Sequence, residues 1–178
     1  IAQLEAQSSS GVSLIPVEVR YTLSPYLPDR NFNPVLSPGF RNVGYFEAAP
    51  LLLQDGSVRI NAMKWNENKT FKFAISANTP LEYRQALRDG ILYWNKILGA
   101  GKVEVVQLDD PTITAPDARF NIVQWVLNDA AGAAYADAQV DPRSGEVLHA
   151  QVYMPSAFAR MGLENRFREI EERSKSRQ

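Results

Sequence analysis

Residues 119–154, RFNIVQWVLNDAAGAAYADAQVDPRSGEVLHAQVYM, decide how this chain folds. The run FNIVQWVL (120–127) is apolar on both faces, the pattern of a central strand covered on both sides. A small-residue loop follows. Then comes a hairpin whose turn, DPRSG (141–145), is ordinary Asp-Pro and Gly chemistry. The second arm alternates: Leu148, Ala150, Val152 and Met154 share one face, while His149, Gln151 and Tyr153 share the other. Pro155 ends it. A strand followed by an edge hairpin is a frame for gripping an extended peptide, and the alternating arm is the expected edge strand.

Working outward, FKFAI (71–75) alternates and predicts a strand. The helix after it carries the strongest local signal in the chain. Thr79 is placed to cap it, Pro80 to open it, and Glu82 to complete a capping box. Tyr83, Leu87, Ile91, Trp94 and Leu98 form one apolar stripe over residues 80–98, and Gly99 or Gly101 ends the helix. VEVVQL (103–108) is the next strand. Strand, helix and strand with short joints imply a right-handed crossover and parallel pairing.

Towards the N-terminus, residues 1–14 are polar, end in SSSG (8–11), and read as a linker or frayed terminus. VEVRYTL (17–23) alternates as a strand. Pro25, Pro28, Pro34 and Pro38 forbid helix and interior ladder pairing, so this passage wraps a surface. NVGYF (42–46) is a candidate short strand, and Asp55-Gly56 marks a hairpin between LLL (51–53) and VRI (58–60). Residues 15–70 thus read as an accessory β and Pro-rich region, 71–155 as the main α/β (α+β) unit, and 156–178 as a charged helical tail with Leu163, Phe167 and Ile170 as its thin stripe.

Composition bounds the function. The 178 residues are 45% hydrophobic and 22% charged, with 19 basic against 20 acidic side chains. That balance creates no field to draw nucleic acid or an anionic membrane. No apolar run approaches the ~18 residues that a membrane helix needs. Without cysteine there is no disulfide, thiolate metal site or cysteine nucleophile. This usage suits a secreted or periplasmic chain, and a start at Ile1 rather than Met reads as a processed or trimmed product. Asn68-Lys69-Thr70 is an N-glycosylation sequon.

Candidate chemistry is sparse. His149 is the only histidine, so no histidine-pair metal site is available from this chain. Asp109 and Asp110 sit where carboxylates occupy solvated turns. Asp137, Asp141 and Glu146 bracket the hairpin turn, which needs no metal to explain it. No serine-hydrolase or nucleotide-binding motif occurs. Trp65, Trp94 and Trp125 read as core packing.

DARFNIVQWV (117–126) and VDPRSGEVLHA (140–150) resemble a strand and hairpin of a large group of bacterial zinc-dependent metalloproteases of the zincin type. RYTLSP (20–25), VGYF (43–46) and GILYWN (90–95) fit the same pattern, so the resemblance covers about residues 17–155. It implies the N-terminal subdomain of a zincin, a twisted mixed sheet with one long backing helix, an edge hairpin and an accessory N-terminal β region. In that family an HExxH helix downstream holds the zinc and supplies the general base. Neither metal ligands nor base is present here, so zinc is implied only for the parent protein. The resemblance makes this chain the substrate-aligning half of a metalloendopeptidase. Its partners would be a polypeptide substrate and the C-terminal catalytic segment of the same protein. His149, Ala150, Gln151, Val152 and Tyr153 would bind substrate by strand addition through main-chain groups. The alternatives are a non-enzymatic edge-strand protein-binding module and an inactive zincin relative.

Overall fold

A computed structural model describes residues 2–8, 11–17, 25–39, 44–162 and 168. The fold is mixed α/β. Its centre is a sheet made of β5 (Lys64–Trp65), β6 (Phe71–Ile75), β7 (Val103–Gln107), β8 (Asn121–Val126), β9 (Tyr135–Val140) and β10 (Glu146–Pro155). Strands run in the order β5-β10-β8-β6-β7, with β9 paired to β10. All pairings are parallel except β9 with β10. The expected parallel pairing of 71–75 with the strand after the helix is therefore present. β8, apolar on both faces in sequence, lies at the centre of the order.

The two faces of the sheet are covered differently. On one, Ala74, Leu108 and Ile122 form a buried cluster, closed by Ala77, Ile113, Ala115 and Phe120 from the sheet's flanking loops. Complete burial of a side chain such as Ile122 stabilises the fold by about 1.5–3 kcal/mol. On the other face lies α1 (Leu81–Leu92), followed by the short α2 (Asn95–Leu98). The expected single helix is broken at Tyr93 and Trp94. Trp94's N–H bonds to Ile91 three residues back, and Asn95 turns its amide to β7.

The capping expectation also fails. Thr79 is buried and its hydroxyl meets that of Ser76 at 3.1 Å, so Pro80 is the cap residue and no side chain caps the helix. Along the apolar stripe Tyr83, Leu87 and Ile91 are half-buried, while Trp94 and Leu98 are exposed. Trp125 is buried and stacks on Tyr83 at 5.3 Å, and Trp65 packs on Phe71 at 4.9 Å. Two of the three tryptophans thus pack as expected; Trp94 does not.

The N-terminal residues form more structure than a linker. β1 (Ala2–Ser8) and β2 (Gly11–Val17) pair antiparallel, in a register that sets Leu4 opposite Ile15. Ser8 and Gly11, the two ends of the serine–glycine run, are register partners at the close of this hairpin. The strand expected over 17–23 lies outside the described residues except for Val17, which ends β2. β3 (Leu51–Leu52) and β4 (Val58–Arg59) form the expected hairpin around Gly56. Residues 44–46, half of an expected strand, are not one; the adjacent Glu47 bridges Ala62 instead. Of the helical tail expected over 156–178, residues 163–167 and 169–178 lie outside the described residues, and the exposed Arg168 is helical. A helical turn does begin at residues 157–162.

Residues 25–69 are fastened to the main sheet rather than standing apart. β5 pairs with the start of β10. The Asn61 amide donates to the carbonyls of Pro142 and Arg143, and the Tyr26 hydroxyl donates to Asp141 at 2.8 Å. Buried Glu146 accepts from Asn66 at 3.0 Å and from Lys69 at 2.7 Å. The DPRSGE turn is therefore the buckle of a strap.

Candidate functional site

Besides the two-residue β5 beside the start of β10, the sheet has two outer strands, β7 and β9, and the chain treats them differently. An unpaired strand edge is a template for another chain unless it is blocked. β7 is blocked. The Asn95 side chain accepts from the Val103 N–H at 2.8 Å and donates to the Val103 carbonyl at 2.9 Å. Arg88 donates to the Val105 carbonyl at 3.0 Å. Helix side chains thus occupy the groups that a new strand would need.

β9 carries no such cover. Among the described residues it pairs with β10 alone. The orientation of its backbone follows from β10. The Ala150 N–H turns towards β8 and donates to the Asn121 side chain at 2.8 Å. Its antiparallel partner, Ala138, must then direct its own N–H away from β10, as must Ala136 two residues earlier. Among the described residues, the Ala138 N–H donates to the carboxylate of the preceding residue, Asp137, at 2.9 Å.

The edge strand is therefore β9 and not the alternating arm. His149, Ala150, Gln151, Val152 and Tyr153 lie on β10, an interior strand held by β9 on one side and largely by β8 on the other. Their main-chain groups are used within the sheet, which corrects the expectation that they line the free edge. His149 is half-buried opposite Gln139. Gln151 is buried, and its amide nitrogen has no hydrogen-bond partner among the described residues. Val152 points to the helix side. Tyr153 stacks on Tyr135, its cross-strand partner, with ring centroids 4.5 Å apart and planes 14° from parallel.

The hairpin expected around 141–145 is present, with β9 as its first arm; what the sequence reading left undefined was the extent of that arm and its place at the edge. YADAQV follows the small-residue loop and merges with it, because alanines make both. The usable signal was alternation: Tyr135, Asp137 and Gln139 on one face, Ala136 and Ala138 on the other.

Beside the sheet, between its helix-side face and α1–α2, runs an apolar groove of about 880 Å³. Phe73, Val123, Val152 and Met154 form its floor, and Leu87 and Ile91 part of its wall. α1 packs mainly over β6 and β7 and reaches β8 through the Tyr83–Trp125 stack, so among the described residues the β10 end of this face has the least helix cover.

Two carboxylates hold the loops around the sheet. Hydrogen bonds from the Arg119 side chain keep Asp117 below the usual carboxylate range, against the opposing effect of burial. At Asp141 burial is the largest influence and favours protonation. Hydrogen bonds from Arg143 and Tyr26 together outweigh it and hold the carboxyl low. The same burial, with the bond to Asp141, pushes Tyr26 up to about 12.

Among the described residues, no set of side chains fits a zinc ion. The chain has one histidine, and the described residues contain no group of three or more His, Asp or Glu able to hold a metal. The chain matches no protein-family model, no curated protein and no solved structure.

Proposed function

We propose that this chain is the substrate-aligning half of a zinc-dependent metalloendopeptidase, with metal ligands and general base supplied by a downstream HExxH segment of the same protein. One observation carries the reading: of the two outer strands, β7 is plugged by Asn95 and Arg88 while β9 is left open. An open antiparallel edge takes up extended polypeptide through main-chain hydrogen bonds, which tolerates varied sequence and holds the scissile bond in line. Ala136 and Ala138 supply the amides and carbonyls. The apolar groove beside Val152 and Met154 suits an apolar helix from the metal-binding segment.

In this reading the chain binds and orients but performs no bond cleavage, because it holds neither nucleophile nor base. The same open edge also serves a non-enzymatic peptide-binding module, so the deciding experiment concerns the metal half. The coding sequence downstream of Gln178 is read for HExxH, and the joined product is assayed on an unfolded protein with and without a chelator. Chelator-sensitive cleavage is expected, abolished when the motif's glutamate is replaced by glutamine. A downstream sequence lacking the motif overturns the protease reading and leaves the binding module.

A further inference from the structure

We propose that Tyr135 and Asp137 make the β9 edge selective for an extended polypeptide that presents a lysine or arginine side chain beside them. The inference rests on the reading of β9 as the peptide-accepting edge and adds the chemistry of what it accepts.

The argument begins with the faces of β9. Residues two apart share a face, so Tyr135, Asp137 and Gln139 stand together opposite Tyr153, Gln151 and His149 of β10. Tyr135 is 62% exposed, yet its ring lies stacked on Tyr153, so it offers a fixed aromatic surface rather than a swinging one. Asp137 is exposed and makes no ion pair among the described residues. The carboxylate does act on Tyr153. The Tyr153 phenol is held above its ordinary range by burial first, then by Tyr135 and Asp137.

A strand added to β9 would lie ~4.8 Å away, and its side chains would alternate in step with those of β9. A side chain opposite Asp137 on this face therefore sits beside the carboxylate, with Tyr135 at the diagonal within reach of a long side chain. Lysine and arginine match both: an ammonium or guanidinium beside a free carboxylate, with an aromatic ring to cover. Glutamate in the same place meets a like charge. On the other face Ala136 and Ala138 offer nothing to discriminate by, so selectivity belongs to the Tyr135–Asp137 side.

Asp137 also holds the Ala138 N–H that an incoming strand needs. A basic side chain draws the carboxylate towards itself and so releases that donor, which couples recognition of the side chain to pairing of the backbone.

The test uses the full chain and labelled, extended, threonine- and valine-rich peptides that differ only at a central lysine, glutamine or glutamate. Fluorescence anisotropy reads affinity, and amide exchange at Ala136 and Ala138 reads location. The lysine peptide is expected to bind about fivefold more tightly than the glutamine peptide, and the glutamate peptide more weakly than either. Asp137→Asn keeps an oxygen for the Ala138 N–H but removes the charge. It should bring the lysine and glutamate peptides together while leaving the glutamine peptide unchanged. Tyr135→Ala should lower the lysine preference while keeping the glutamate penalty. Equal binding of all three peptides, with Ala136 and Ala138 protected, overturns the selectivity and leaves the edge reading intact. Failure of every peptide to protect those amides overturns both.

Discussion

Gly145 and Gly56 have nearly the same backbone, with φ of 80° and 81°, yet their surroundings differ. A Cβ on Gly56 would meet nothing within 4 Å, whereas one on Gly145 would collide with the backbone carbonyl of Ala62 and crowd Asn61. The pair separates two costs of a side chain in left-handed backbone. Gly56→Ala should lose about 1–2 kcal/mol from conformation alone. Gly145→Ala should lose at least about 2 kcal/mol more, because the obstruction is backbone and the strap over Asn61 must shift. Urea unfolding of the two variants checks this; equal losses would mean that the buckle yields freely. At this scale the sequence was half legible. That 141–145 is a turn follows from Asp-Pro and Gly. That Asn61, 80 residues upstream in sequence order, closes on it does not, because such pairings depend on the assembled sheet. Thr79 is a similar case: its spacing to Glu82 is a helix signal, but burial against Ser76 offered the hydroxyl a different partner.

At the scale of elements, the blocked edge of β7 gives a direct test. Asn95 makes two hydrogen bonds to Val103, and Arg88 makes one to Val105. Replacing both by alanine should cost about 1–3 kcal/mol of stability and expose a second unpaired edge. Sedimentation velocity should then show stronger concentration-dependent association than in the unaltered chain; a double variant that associates no more than the unaltered chain would show that α2 shields the edge by bulk. Within α1, Gly90 has ordinary helical backbone and open space where a Cβ would sit. Gly90→Ala should raise stability by about 0.5–1 kcal/mol, read as a higher urea midpoint. Most strands were legible because their alternation or double-faced apolarity survives in short windows: 71–75, 103–107 and the core of 121–126 fall where the pattern puts them. β5 was not, since two residues carry no period. β9 was implied as the first arm of the hairpin, but its start was not legible, since its alanines match the loop before it. The position of the second hairpin arm inside the sheet was also hidden. Alternation tells which side chains share a face but not which strand lies next to which.

For the whole molecule, the charges that fasten loops to the sheet set how it responds to pH. Asp117 and Asp141 are both held below the usual carboxylate range in the fold, the first chiefly by Arg119 and the second by Arg143 and Tyr26 against burial. A carboxylate depressed in the native state contributes stability that is present above its unfolded value, near 3.9, and lost as pH falls through the folded value. Stability should therefore decline below about pH 4. Asp141→Asn, which cannot take up that proton, should start less stable at neutral pH and fall less steeply in acid. Tyr26 responds at the other extreme. Its phenol is raised to about 12, so the neutral form is favoured by folding, and its contribution persists below the unfolded value near 10 and disappears as pH rises towards 12. Tyr26→Phe deletes the hydroxyl that donates to Asp141 and should remove that part of the alkaline decline. It should also steepen neither acid limb nor midpoint beyond the loss of one hydrogen bond, about 1 kcal/mol. Denaturant midpoints measured across the pH range for the unaltered chain and both variants would settle the assignment. An alkaline slope unchanged by Tyr26→Phe would place the titrating group elsewhere, and with it the tie between the strap and the turn that positions β9.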